Sequence, residues 1–435
     1  NILFRNLEDR PLIFLFHLQF LQKYILQTFF HLHLKLLVIF SLLLFIHAFS
    51  ASLLGGGVMP DGKVDKVVGN KSEWHAPVYG IDIRASFSPS WQSLQHWNNA
   101  TVGVGLGYWN MRHQQLGHAI TPYIYMDIPL LRLPHFELGL RPGIGAAFMT
   151  KTYRNTVEDG HLFIDVTNAN ECIGSVTNLY FPEAIYMHFP ISKGWGMGIS
   201  GGWYHISNGS TRQPNSGYNI FAGELAVKYD FATTDKPEKQ ETKPSHVSSP
   251  ISKNWSIALS ATAGARQVYY RDQQTFAVAS MHAAAYWHAH NIFRLGGGVD
   301  VFYDGAYIQR KTYFKKTNLA AAQPGDCWRI GVSLQPEFVV GNFTAGLHLG
   351  AYLYDPVKEL EPYDEAINSD KGRVNRPIFY AYDLLKAGSA GYPDGWLYTE
   401  LVLRYHLPWH VFVQAMMKSH LTKVEFISLG VGFYY

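Results

Sequence analysis

The chain has 435 residues, with 36 Lys+Arg against 33 Asp+Glu, and only 16% of it is charged while 47% is hydrophobic and 15% aromatic. An ordinary soluble domain carries roughly 25% charged residues, so this balance excludes a disordered chain, and a net charge of +3 lacks the basic excess of a nucleic-acid binder. A mean hydropathy of −0.06 and a single long apolar run near the N-terminus exclude a helical membrane bundle; aromatics and glycines without long apolar runs fit a transmembrane β-barrel, whose strands carry their hydrophobicity in alternation.

In chain order, the first element is an address. In His33–Ser52 (HLKLLVIFSLLLFIHAFSAS), Lys35 precedes an apolar core, Leu36–Ile46, and the small residues Ala48 and Ser50 stand before a cut at Ala51. That is the layout of a secretory signal peptide. Residues 1–50 are therefore expected to be an over-extended start plus a signal, outside the fold. Export leaves open whether Cys172 and Cys327 pair.

Period-two strands follow. In Thr101–Tyr108 (TVGVGLGY) the large apolar residues take one face and the glycines the other. In Ala119–Leu130, Ile120, Ile124, Met126 and Ile128 oppose Thr121, Tyr123, Tyr125 and Asp127. This is lipid-out, lumen-in patterning. Similar stretches begin near Ala76, His135, Val176, Gly194 and Gly217, with a weaker one at Gly160–Val166. Residues 232–253, with several charges, three prolines and no aromatic residue, form a polar linker. Strand patterns resume near Asn254, Gln274, Asn291, Cys327, Asn342, Gly395, Trp409 and Leu421, and the last alternates to a terminal Tyr435, as bacterial outer-membrane barrels end. Loose repeats, such as Pro134–Phe148 against Pro336–Tyr352, divide the chain into halves. The expected architecture is all-β: two tandem antiparallel barrels of about eight strands, over residues 75–231 and 254–435, with one barrel of about 14–16 strands as the rival. Either satisfies the rule that a spanning sheet must close.

One stretch carries chemistry: GMGISGGWYHISNGSTRQPNSGYNIFAGELAVKYDF. Trp195, Met197, Ile199 and Trp203 share odd parity with His205 and Ser207, so both polar residues project toward lipid if the parity holds. Residues i and i+2 of a strand lie about 6.5–7 Å apart on one face, within reach of a serine nucleophile and a histidine base. A barrel that starts in the periplasm puts the Asn208–Gly217 loop outside the cell, so the dyad sits at the outer leaflet, where lipopolysaccharide resides.

The run His205-Ile206-Ser207-Asn208-Gly209, followed by Pro214-Asn215-Ser216-Gly217, resembles the signature of outer-membrane lipid A 3-O-deacylases, eight-stranded barrels that hydrolyse an ester-linked acyl chain. The resemblance covers roughly residues 75–231. It implies Ser207 as nucleophile, His205 as general base, and an oxyanion hole from the amides of Gly209 and Ser210, oriented by Asn208 and Asn215. It also implies lipid A as the partner and no cofactor. One position departs: the family's third member is usually a glutamate five residues beyond the Pro of Pro-Asn-x-Gly, and here that position is Asn219. The nearest acid, Glu224, shares the lumen parity of Ala222, Ala226 and Lys228. Asn219 shares the outward parity and is the expected orienting residue, able to hold the histidine without charging it.

The second half has no copy of the motif. Its equivalent stretch, MMKSHLTKVEF, sets Ser419 and His420 side by side and so on opposite faces. No metal-ligand spacing, phosphate loop or dinucleotide fingerprint stands elsewhere. The expected function is an outer-membrane esterase acting on lipid A or a related lipid, with a non-catalytic pore or structural barrel as the alternatives.

Overall fold

The alternation of large and small residues closes into cylinders. In the computed structural model, residues 46–59, 76–87, 92–157, 170, 172–231, 254–268, 274–309, 314–315, 324–356, 361–362, 396–420 and 423–435 are described. The first barrel is β1 (Ala48–Val58), β2 (Ala76–Phe87), β3 (Thr101–Asn110), β4 (His118–Leu133), β5 (Phe136–Met149), β6 (Thr177–Ser192), β7 (Trp195–Ser207) and β8 (Tyr218–Asp230). Each strand pairs antiparallel with the next, and β8 returns to β1. The second barrel is β9 (Trp255–Gln267), β10 (Thr275–His290), β11 (Phe293–Asp304), β13 (Trp328–Val340), β14 (Phe343–Tyr354), β16 (Leu397–His406), β17 (Val411–His420) and β18 (Lys423–Tyr434), closed by β18 on β9. Two short strands, β12 (Phe314–Lys315) and β15 (Glu361–Pro362), pair with each other outside these walls. The architecture is the tandem one, not a single wide barrel.

The first barrel begins earlier than residue 75. Its opening strand, β1, uses AFSASLLGGGV, which includes the end of the stretch read as a signal peptide. Ala48 and Ser50, the small residues of the expected cleavage site, face the lumen and are buried, while Phe49 and Leu53 point outward. Small residues at i and i+2 satisfy both patterns, and a cut before Ala51 would fall inside this strand. The apolar segment upstream, the Gly160–Val166 stretch and the 232–253 linker lie outside the described residues.

The outer walls are apolar. Ile81, Ile124, Ile185 and Leu225 of the first barrel, and Leu259, Leu334, Leu429 and Phe433 of the second, are all exposed. Apolar surface of this extent marks a membrane-facing protein. The interiors are polar and internally paired. In the first lumen Arg84 bonds Glu224 with two nitrogens and reaches Asp82 at 2.7 Å, while Ser200 donates to Glu224 at 2.9 Å. What remains at that level is a cavity of about 40 Å³, room for only a few waters. In the second lumen Glu337 gathers Arg294, Arg404 and His348, and Glu425 gathers Arg329 and Lys418. Cys172 and Cys327 are buried thiols, one in each half, not joined in a disulfide.

The barrels touch at both ends. Where β7 and β9 finish, the Asn208–Gly217 loop meets the ends of β9 and β18: Gln267 N donates to Ser210 O at 2.8 Å and Ser210 Oγ to Val424 O at 2.7 Å. At the opposite end, Trp97 in the β2–β3 connection donates its Nε1 to Val339 O at 3.1 Å and packs on Phe338.

Candidate active site

Strand β7 delivers the two residues to one spot. Trp195, Met197, Ile199 and Trp203 point outward and Ser200 and Tyr204 inward, and the alternation of burial ends at Ser207, which is 2% exposed. His205 has the outward parity and is half-buried, and its contact with Ser207 Oγ sets Ser207 on the same face, beneath Gly217 of the loop. The register sets His205 opposite Asn219 on β8 and opposite Phe181 on β6.

The three side chains form a relay. His205 Nε2 lies 2.9 Å from Ser207 Oγ, and His205 Nδ1 lies 2.8 Å from Asn219 Oδ1. Trp203 Nε1 donates to the same Oδ1 at 3.1 Å, so Asn219 presents its carbonyl oxygen to two ring N–H groups. That arrangement places the histidine proton on Nδ1 and leaves the Nε2 lone pair for the serine hydroxyl, the tautomer a general base needs. Trp203 stacks on the imidazole at 5.3 Å, and Phe181 covers its other side at 6.2 Å.

The loop beyond Ser207 is stitched by its asparagines. Asn208 N donates to Asn215 Oδ1 at 2.9 Å, while Asn208 Nδ2 donates to Arg212 O and to Ser175 Oγ, both at 2.8 Å. Gly209 and Ser210 both take left-handed backbone angles, φ 58° and 62°. Their amides donate to no other group among the described residues. Gly217, at φ 73°, lies against the dyad, where a Cβ would come 2.7 Å from Ile206 O and 3.3 Å from His205 Cε1. Only glycine fits there.

An apolar groove runs down the outer wall from this point. It has a volume of about 470 Å³ and is walled by Leu140, Ile185, Trp203 and Phe221, with one carboxylate, Glu183, in its lining. Its floor is open because Gly201 pairs with Gly223 on the outward face, where neither carries a side chain. Glu224 is absent from the site, bound to Arg84 in the lumen.

The second barrel holds a triad that the motif search missed. On β10, Ser280 Oγ lies 2.6 Å from His282 Nε2, and His282 Nδ1 lies 2.9 Å from Asp300 Oδ1 on β11. All three point into the lumen, Ser280 being 3% and Asp300 0% exposed. The signal was a Ser-x-His pair on an alternating strand, but on the even, lumen-facing parity. His282, Asp300 and Glu400 also form the one cluster among the described residues whose donor atoms, within 4.8 Å of one another, could hold a metal ion. Ser419 and His420 do not meet: Ser419 bonds Thr399, and His420 bonds Leu397 O.

Two closed eight-stranded barrels with apolar outer walls and polar lumens define a bacterial outer-membrane protein. Residues 79–228 match the family model of the lipid A 3-O-deacylases (PagL), and residues 253–365 match that of the acyloxyacyl hydrolase C-terminal domain. Over residues 79–228 the chain is thus similar to the lipid A 3-O-deacylases. Among solved structures, the outer membrane enzyme PagL is similar at 18% identity over 41% of this chain and 98% of its own, with a TM-score of 0.27. Neisserial surface protein A is similar at 11% identity over 42% and 97%, with a TM-score of 0.25. No curated protein sequence matches the chain.

Proposed function

We propose that the first barrel is an esterase that removes an acyl chain from lipid A or a related acylated lipid in the outer leaflet. The observation that carries this reading is the Ser207–His205–Asn219 relay, with contacts of 2.9 and 2.8 Å, standing on the lipid-facing wall. Ser207 Oγ attacks the acyl carbonyl carbon and its proton passes to His205 Nε2. The amides of Gly209 and Ser210 receive the oxyanion. As the ester C–O bond breaks, the proton moves from His205 to the departing lipid alkoxide. Water then attacks the acyl-serine, again giving its proton to His205, and the fatty acid leaves as Ser207 is restored. The groove below Trp203 supports an acyl chain as the group held, since its walls are apolar apart from Glu183 and Trp203 stacks on the imidazole. The family match supports lipid A as the substrate class.

Mass profiling of lipid A from cells expressing the chain tests this. The parent is expected to yield lipid A lighter by one acyl chain, and Ser207→Ala to yield the full-length species. Identical profiles, with the parent folded in the membrane, would sink the reading.

A further inference from the structure

The loop that supplies the proposed oxyanion amides is not held by its own barrel alone. On one side Gly217 N donates to Cys172 O at 3.0 Å, and Asn215 makes a β-bridge with Ile173. On the other side every contact is with the second barrel. Gln267 N donates to Ser210 O at 2.8 Å, Ser210 Oγ donates to Val424 O at 2.7 Å, and Gln213 N donates to Gln267 Oε1 at 3.1 Å. Gln213 Nε2 returns a bond to Gln267 O at 3.3 Å. The approach is close: a Cβ on Gly209 would stand 2.1 Å from Ile427 Cδ1.

The residues of the second barrel in this seam depart from their strands' pattern. Odd positions of β9, and of β18 from Ile427 onward, face lipid, as Ala263, Ala265 and Leu429 do, with Leu429 67% exposed. Gln267 has the same parity yet is 4% exposed, because the loop covers it. Its side chain bridges loop and barrel, Oε1 accepting from Gln213 N and Nε2 donating to Thr275 Oγ1 of β10 at 3.3 Å. Gly209 takes its left-handed angle freely, but that of Ser210 needs such support, since a non-glycine residue in that region costs of order 1–3 kcal/mol unless its surroundings hold it.

We infer that the second barrel is a brace, whose Gln267 and Ile427 act as positioning residues that keep the Gly209 and Ser210 amides in place for the oxyanion. This inference rests on the catalytic reading of Ser207. It gives the half without a lipid-facing dyad a task in the reaction of the other half: to set kcat. Substrate affinity belongs to the groove on the first barrel's own wall and should be left alone.

The test uses the full-length chain in detergent micelles with purified lipid A, comparing the parent, Gln267→Ala/Ile427→Ala, Ile427→Val, Trp97→Phe and Ser207→Ala. Loss of one oxyanion donor costs about 10²–10³-fold in kcat, and displacing the reacting groups by an ångström about 10²-fold. The double variant removes the Gln267 Oε1 bond and the Ile427 contact but leaves the main-chain bonds of Gln267 and Val424. It is therefore expected to lose about tenfold in kcat, with KM within about threefold. Labelling of Ser207 by an alkyl fluorophosphonate, whose adduct needs the same amides, should slow in parallel. Ile427→Val keeps the packing and should retain kcat within about threefold. Trp97→Phe breaks the seam at the far end and should do the same. A folded double variant with parental kcat and labelling, beside an inactive Ser207→Ala, would overturn the brace and leave the catalytic reading standing. An active Ser207→Ala would instead remove the catalytic reading on which the brace depends.

Discussion

The two barrels contain nearly the same three functional groups, set on opposite faces of their walls. In the first, Ser207, His205 and Asn219 stand on the outer wall. In the second, Ser280, His282 and Asp300 have the carboxylate of a complete triad and a serine contact of 2.6 Å, shorter than the 2.9 Å of the first. Yet they lie inside a lumen, where Ser280 also bonds Thr262, and Tyr398 donates to Asp300 at 2.6 Å. In a strand, successive side chains alternate between lumen and lipid, so one position of parity separates a network inside the lumen from one on the outer face of the wall. Triad geometry alone does not mark a catalytic centre in a barrel; the face does.

The comparison breaks most sharply at the histidines. His205→Ala is expected to reduce kcat by about 10⁴-fold, since nucleophile and base act as one unit, and adding Ser207→Ala should cost little more. His282→Ala should leave kcat within about twofold while lowering the temperature at which the barrel unfolds. Steady-state hydrolysis of a lipid ester, paired with thermal unfolding of each variant, separates the two. A kcat that falls with His282 instead would mean that the lumen triad, and not the wall dyad, does the chemistry.

The lumens supply the next effect, in stability rather than rate. Glu337 is fully buried and receives Arg294, Arg404 and His348. Removing one partner of such a network leaves buried charge uncompensated, at about 3–5 kcal/mol. Glu337→Leu should therefore destabilise the full chain by about 3 kcal/mol in urea or thermal unfolding, with kcat unchanged in the protein that remains folded. If stability does not move, the network in the second lumen contributes little to the fold.

How much of this was legible follows the same division. Period-two patterning located seven of the first barrel's eight strands and all eight of the second's, within a few residues, because each has one face in lipid and one in a packed lumen. Strand β1 was hidden by its own composition: Ala48, Ser50 and Ser52 suit a cleavage site as well as a lumen face. For the site, parity alone put His205, Ser207 and Asn219 on one wall, and the register of β7 on β8 makes His205 and Asn219 direct neighbours. The Gln267 and Ile427 contacts were beyond reach, since they depend on how two separately closed walls meet; the one local sign, a polar Gln267 on the lipid-facing parity of β9, does not name its partner. Ser280, His282 and Asp300 were present as a Ser-x-His pair and an acid, but on the parity that a search for lipid-facing chemistry passes over.

The smallest expected effect sharpens the comparison most, because it moves the carboxylate of the second barrel's triad into the first. Asn219 Oδ1 accepts from both His205 Nδ1 and Trp203 Nε1, so the amide already fixes the imidazole tautomer and orientation. What it lacks is charge to stabilise the imidazolium that forms when Ser207 gives up its proton. Where an amide leaves the wrong tautomer, as in the protease case, the loss is about 10⁴-fold. Here orientation is already supplied, and only the charge is missing. Asn219→Asp keeps the length and both donors, so kcat is expected to rise by about tenfold, or ~1.4 kcal/mol, a gain held down by the cost of burying an ion beside Trp203 and Phe181. Asn219→Leu removes the tautomer control as well and should lower kcat well below the parent. Rates for the three chains on one lipid ester, at a fixed pH and detergent concentration, give the order Asp, Asn, Leu if Asn219 orients His205. Equal rates for all three would show that the histidine is held by the stacking of Trp203 and Phe181 alone.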